Sequence, residues 1–258
     1  MTTNPSKYTE LRRLRKALGW TAALRLLLAA SLDSAASRPR KLWTRHAMHP
    51  LLCRPSTSDP EVFRDVFRKQ AFRCLNDVPD PRLVIDCGAN VGYVSAWLLS
   101  RFPHCKVIAV EPDPGNFDIL SRNLAPYGNR AACIQAAVWP RQAPLRIADA
   151  PYRDGREWAV QIRECTQGEP PNVQAIDIGT LLANSGESTI SILKIDIEAG
   201  EQFLFAENYQ SWIARVDNLA IELHDDDCSR IFHNAIAGLP LDITHCGELT
   251  VCKRRVDS

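Results

Sequence analysis

Asp86, Glu111, Asp196 and Glu222 each stand at the end of a short, largely aliphatic run, and His224 follows two residues after the last of them. Carboxylates and an imidazole gathered at strand ends suit a site on the edge of a parallel sheet, because ligands of such sheets sit outside the carboxyl ends of the strands. Side chains alternate along a strand, so Asp196 and Glu198 are expected on one face of theirs, and Glu222 and His224 share a face likewise. Two acids and a histidine can then converge. The chemistry they suit is removal of a proton from an attacking hydroxyl, with Asp196 and His224 as candidate bases contributing up to about 10⁴ in rate. A histidine that only fixes a loop is the competing reading of His224. Glu198 and Glu201 also fit the first turn of a helix, where acids complement its dipole, and Lys194 is expected to pair with a neighbouring acid. Asp196, Glu198, Glu222 and Asp225 are hard oxygen donors of the kind that hold magnesium. Magnesium is kept as an alternative route, with no residue assigned as a metal ligand.

The turn Asp86-Cys87-Gly88-Ala89-Asn90-Val91-Gly92 carries the strongest local signal. Glycine at 88 and 92 lets backbone approach a ligand where a strand passes into a helix. Glu111 lies nineteen residues beyond Gly92 at the end of the next strand, where a carboxylate can take both hydroxyls of a ribose. A nicotinamide site requires G-x-G-x-x-G to place amides around a pyrophosphate, but here the middle position is Asn90 and the turn opens with an acid. Asp86 repels a pyrophosphate and attracts a sulfonium or an ammonium group. The set Asp86, Gly88, Asn90, Gly92, Glu111 and Pro112 therefore points to S-adenosylmethionine.

The elements that must position these residues follow from the pattern. Strands are expected at 83–87, 106–111 and 131–138, alternating with helices at 91–102 and 117–124. That order implies a parallel sheet of Rossmann-like type. Short strands at 145–147, 158–162 and 173–176 interrupt it, central strands follow at 191–197 and 218–223, and a hairpin around Gly247 closes the chain. Upstream, residues 34–60 read as loop. Ser58-Asp59-Pro60-Glu61 reads as a capped helix start with a capping box.

The chain has 258 residues, 45% of them hydrophobic, enough for one well-packed core. Its net charge of +1 gives no general attraction to nucleic acid, and none is expected as a partner. Residues 1–76 nevertheless hold 15 Lys/Arg against 5 Asp/Glu, whereas the remainder is acidic. The early segment reads as an amphipathic helix with Leu11, Leu14, Leu18, Ala22 and Leu26 on one stripe. Arg25 interrupts its apolar run, which is too short to span a bilayer. It is expected to pack on its own domain or in a homo-oligomer, with peripheral membrane contact as the alternative. Nine cysteines in an odd set without a CxxC pair indicate neither a zinc site nor a disulfide framework, and a reducing cytoplasm is the expected compartment.

Four segments together resemble the FkbM-type methyltransferases: the turn Ile85–Tyr93, Val110-Glu111-Pro112, Leu193-Lys194-Ile195-Asp196-Ile197-Glu198, and Ile221-Glu222-Leu223-His224-Asp225. The upstream Arg54-Pro55-Ser56-Thr57-Ser58-Asp59 looks like a further family feature. The resemblance implies a class I methyltransferase fold, mostly parallel with an antiparallel C-terminal hairpin, and O-methylation of a sugar, glycan or secondary-metabolite hydroxyl. Residues 1–76 then form a basic, mostly helical N-terminal extension and 77–258 the S-adenosylmethionine-binding domain. Two other functions remain open. One is methylation of nitrogen or of another small metabolite, and the other a non-catalytic cofactor-binding protein that docks a partner through its basic N-terminal region. The chain departs from the family at one place. The usual Asp-x-Glu-Gly-Ala-Glu is here Asp196-Ile197-Glu198-Ala199-Gly200-Glu201, which exchanges the glycine and the alanine.

Overall fold

A computed structural model describes Gly19, residues 38–150 and residues 152–255. The amphipathic helix expected between Leu11 and Leu26 lies outside the described residues. None of the described helices is long and apolar enough to cross a membrane.

In chain order the strands are β1 (Arg40–Leu42), β2 (Leu51–Cys53), β3 (Leu83–Cys87), β4 (Lys106–Val110), β5 (Ala131–Ile134), β6 (Ala137–Val138), β7 (Leu145–Ile147), β8 (Ile162–Glu164), β9 (Ala175–Ile176), β10 (Ile192–Ile195), β11 (Asn218–Glu222), β12 (Leu241–Cys246) and β13 (Leu249–Arg254). The helices are α1 (Asp59–Phe63), which runs on into a π-helical turn at Arg64–Lys69, α2 (Tyr93–Arg101), α3 (Pro114–Leu124), α4 (Ile178–Ser185), α5 (Glu201–Ala206) and α6 (Asp226–Ile236).

Seven strands form one sheet in the order β12-β13-β11-β10-β3-β4-β5. All neighbours from β11 to β5 are parallel, and β13 runs antiparallel to both β11 and β12. Every residue of β3 is buried, as expected of a strand covered on both faces. Its side chains divide between two cores, with Val84 packing on one face and Leu83, Ile85 and Cys87 on the other. From β3 the chain steps outward through β4 to β5, then returns to lay β10 on the opposite side of β3. This reversal opens a crevice at the carboxyl ends of β3 and β10, the place where such sheets bind ligands. The register aligns Asp86 with Lys194 and Cys87 with Ile195, so the glycine turn and Asp196 emerge side by side.

The N-terminal boundary needs correction. Leu51, Phe63, Val66, Phe67, Phe72 and Leu75 share one core with Val84, Leu98, Leu99 and Leu120, so a division at residue 76 cuts through that core. The stretch read as loop contains the antiparallel pair β1–β2. Asn123 ties β2 to α3 by accepting from the Leu52 N–H at 2.6 Å and donating to the Leu52 carbonyl at 3.3 Å. Tyr93 Oη donates to the same carbonyl at 2.7 Å. The capping box at α1 does not form. Ser58 has helical backbone angles and no side-chain cap bond, and Glu61 instead accepts from Arg156 at 3.2 Å.

Candidate active site

The crevice opens into a cavity of about 710 Å³, within the range that holds a cofactor or small ligand. The glycine turn forms one wall. Gly88 has φ +73°, and a Cβ there would overlap the Asp196 carbonyl oxygen. Only glycine lets the two strand ends meet this closely. Gly92, at φ +82°, does not line the cavity. A Cβ there would lie 2.6 Å from Leu120 Cδ1, so this glycine serves the packing of α2 on α3. Asn90 does line it, in a left-handed conformation at φ +49° that asparagine tolerates.

Asp86 does not touch the cavity. It is fully buried, accepts from Ser95 Oγ at 2.6 Å and lies 3.3 Å from Lys194 Nζ. Lys194 also donates to the Gly88 carbonyl at 2.7 Å and stands 3.4 Å from Asp196 Oδ2. Burial disfavours the ammonium, but Asp86 and Asp196 outweigh it and hold the lysine pKa well above its ordinary value. The direct attraction of a ligand cation expected of Asp86 is thus corrected. Its charge faces Lys194, and the pair braces the turn from beneath.

Glu111 lines the cavity beside Pro112. One carboxylate oxygen accepts from the Asn90 N–H at 2.8 Å and the other from the Asp113 N–H at 2.9 Å. Burial raises its pKa to about 7 even though both amides favour the charged form. Asp113 in turn caps α3 by accepting from the Asn116 N–H at 2.8 Å. Asn116 accepts from Arg54 at 2.7 Å, and Arg54 is paired with the buried Asp59 at 2.8 Å. The upstream Arg54–Asp59 segment therefore anchors the wall next to Glu111.

Asp196, Glu198, Glu222 and His224 do come together. His224 Nε2 lies 3.4 Å from Glu198, 3.6 Å from Asp196 and 3.7 Å from Glu222, and Nδ1 lies 3.1 Å from Glu201 Oε1. Glu198 and Asp196 meet through a turn, not through strand alternation. β10 ends at Ile195, and Glu198 and Ala199 adopt φ +51° and +67°. Consecutive left-handed residues carrying side chains store strain of the kind found at functional sites. The exchanged alanine occupies the position where the family places glycine. Glu201, fully buried, fixes the turn by accepting from the Ile197 N–H at 3.0 Å. Asp225 is not in the cluster, because it caps α6 by accepting from the Cys228 N–H at 2.7 Å.

His224 lies beneath this cluster with its side chain only 1% exposed and does not itself line the cavity. Burial lowers its pKa, but Glu198 and Glu201 outweigh that and raise it to about 11. An imidazolium has no lone pair to take a proton, and the role of base expected of His224 is corrected on both grounds. Glu222 is pushed up to about 7 by burial and by the nearby Asp196. Asp196, whose side chain is 31% exposed, is the member of the cluster most open to the cavity.

The remaining walls had no signal in the sequence. Trp139, Arg153 and Trp158 come from loops, and Lys69 and Gln70 from the end of the π-helical turn. Arg156 pins the Trp158 loop to α1 by donating to the Thr57 carbonyl at 2.5 Å, and its guanidinium stacks over Trp158 at 4.9 Å.

The family model of the methyltransferase FkbM domain matches residues 86–242, from the first residue of the glycine turn into β12. The chain belongs to the FkbM methyltransferase family. Among its relatives, methyltransferase sdnD of Sordaria araneosa is 34% identical over 64 residues, covering 25% of this chain and 24% of that protein. Methyltransferase 1 of Beauveria bassiana (strain ARSEF 2860) is 22% identical over 182 residues, 64% of this chain and 73% of that protein. A crystal structure of methyltransferase FkbM from Methylobacillus flagellatus KT superposes with a TM-score of 0.46 at 14% identity, covering 67% of this chain and 44% of that one. The family match encloses the FkbM-type glycine turn, Glu111, the carboxylate cluster and His224 in one unit.

Proposed function

We propose that the protein transfers a methyl group from S-adenosylmethionine to a hydroxyl oxygen of a sugar, glycan or secondary metabolite. The observation that carries this reading is the acidic lining of the cavity. Glu111 is held by two backbone amides beside the glycine turn, and in this reading it accepts the two hydroxyls of a ribose. Asp196, Glu198 and Glu222 add three further carboxylates to the lining. Such a lining attracts a sulfonium and repels a pyrophosphate, which favours a methyl donor over a nicotinamide cofactor.

Methyl transfer is an in-line displacement, so alignment within the walls supplies most of the catalysis. The cofactor, when bound, supplies the activated methyl group. In this reading Asp196, which lines the cavity and is the most exposed of the cluster, accepts the proton an attacking hydroxyl loses, and His224 positions the carboxylates from below. Incubation with methyl-labelled S-adenosylmethionine and fractionated small-molecule and glycan extracts tests the reaction. An alkali-stable methyl ether is the expected product. A label found only on nitrogen, or none on any acceptor while the cofactor binds, would overturn the hydroxyl assignment.

A further inference from the structure

We propose that Asp196, Glu198 and His224 form a site for a divalent first-row transition ion at the floor of the cavity. The three residues offer one ligand atom each within 4.8 Å of one another. What sets them apart from a plain acidic cluster is the imidazole. The His224 side chain is 99% buried, and its Nε2 points among three carboxylates yet has no hydrogen-bond partner. Glu198 Oε2 is likewise buried without a hydrogen bond, and the charges nearest it are His224 Nε2 at 3.4 Å and Arg153 at 3.7 Å. Two buried polar atoms that face each other at this distance without a hydrogen bond are under-satisfied, and an ion between them supplies the contact both lack.

The spacing fits. Donors about 2.1 Å from a tetrahedral ion stand roughly 3.4 Å apart, and around an octahedral ion about 3.0 Å apart. His224 Nε2 lies 3.4 Å from Glu198 and 3.6 Å from Asp196, room for an ion and too far for a direct hydrogen bond in good geometry. The other ring nitrogen of His224 faces buried Glu201 at 3.1 Å. This is the carboxylate–histidine support that orients a metal-bound imidazole. The charges agree as well. Asp196, Glu198, Glu201 and Glu222 surround one histidine, with Lys194 3.4 Å from Asp196 and Arg153 3.7 Å from Glu198 as the basic groups beside them. A divalent ion on Nε2, in place of a proton, brings the cluster closer to neutrality. Mixed imidazole and carboxylate donors select manganese, iron or zinc over magnesium and calcium. Asp196 and Glu198 also line the cavity, so an ion held by them keeps a side open to an oxygen ligand.

The site shares Asp196, Glu198 and His224 with the methyl-transfer reading, so its test does not use activity. Manganese is the probe, because the nine cysteines of the chain would take up zinc elsewhere. Metal-stripped protein is titrated with Mn²⁺ and the loss of the free-ion paramagnetic resonance signal is followed, with calorimetry for stoichiometry. One ion per chain is expected, bound at least tenfold more tightly than magnesium. Asp196→Asn and His224→Gln should each weaken it tenfold or more. The fold of each variant is checked by its melting curve. If His224→Gln fails to fold, Asp196→Asn at the cavity surface decides the matter. No saturable Mn²⁺ binding, or binding unchanged in a folded Asp196→Asn variant, overturns the site. S-adenosylmethionine binding measured on the same metal-stripped protein reports separately on the cofactor reading.

Discussion

Glu111→Ala separates a carboxylate that binds ribose from one that merely ties a loop. In the native site both of its oxygens are anchored by backbone amides, at 2.8 Å from Asn90 and 2.9 Å from Asp113. Each oxygen retains a lone pair for a ligand hydroxyl. Removing the side chain leaves two ribose hydroxyls without acceptors in a dry wall, which costs roughly 1–3 kcal/mol of cofactor affinity, or about 5- to 150-fold. The pH dependence sharpens the test. Burial raises the Glu111 pKa from 4.5 to about 7, and hydroxyl donors favour the ionised form. Binding therefore pulls a proton off the carboxylate, and affinity should fall as pH drops through about 7, by up to tenfold per unit below it. The variant has no carboxylate to titrate, so this part of the slope should vanish. Calorimetry with S-adenosylmethionine between pH 5.5 and 8.5, on native and variant chains, measures both effects. Native affinity that is flat across the range, or a variant that binds as well as the native chain, would refute the ribose role.

Three further outcomes follow from the packing. Phe67→Ala should lower stability by about 3–5 kcal/mol, since the ring is fully buried in the core shared with the sheet. A loss under about 1 kcal/mol in denaturant titration would mean that the N-terminal segment is only loosely attached. Ala199→Gly should raise stability by about 1 kcal/mol, because φ +67° is strained for alanine and free for glycine. A lowered melting temperature would contradict that reading. Deleting residues 1–33 should leave S-adenosylmethionine binding intact, because among the described residues the cavity lining begins at Val62. A truncated chain that folds but no longer binds would place part of the site in the missing segment.

The sheet and the ligand end of the site were legible because they rest on short-range rules. Aliphatic runs ending in acids mark β3, β4, β10 and β11, and the glycines at 88 and 92 mark the turn where backbone approaches backbone. The pairing of Lys194 with an acid was foreseeable from its place in an apolar run. That Asp86 would be the partner was not, because the pair depends on register between strands more than a hundred residues apart in sequence. His224 shows the same limit. Alternation placed it correctly beside Glu222 but said nothing of Glu201 rising beneath it to hold it out of the cavity. Ser58 looked like a helix cap, yet its N–H donates to Glu157 at 2.9 Å and a tertiary contact took precedence over the local motif. The stretch 158–162 reads as a strand, but Trp158 lies in a turn and the strand begins only at Ile162, because residues there answer to Arg156 and the start of α1 instead of to their neighbours in sequence.

A cavity built for a methyl donor should reject a dinucleotide. Calorimetry of the full chain against S-adenosylmethionine, S-adenosylhomocysteine and NAD addresses it directly. The chain is expected to bind one molecule of S-adenosylmethionine or S-adenosylhomocysteine with micromolar-range affinity and to give no heat with NAD. Binding of NAD with no heat from S-adenosylmethionine or its demethylated product would contradict it.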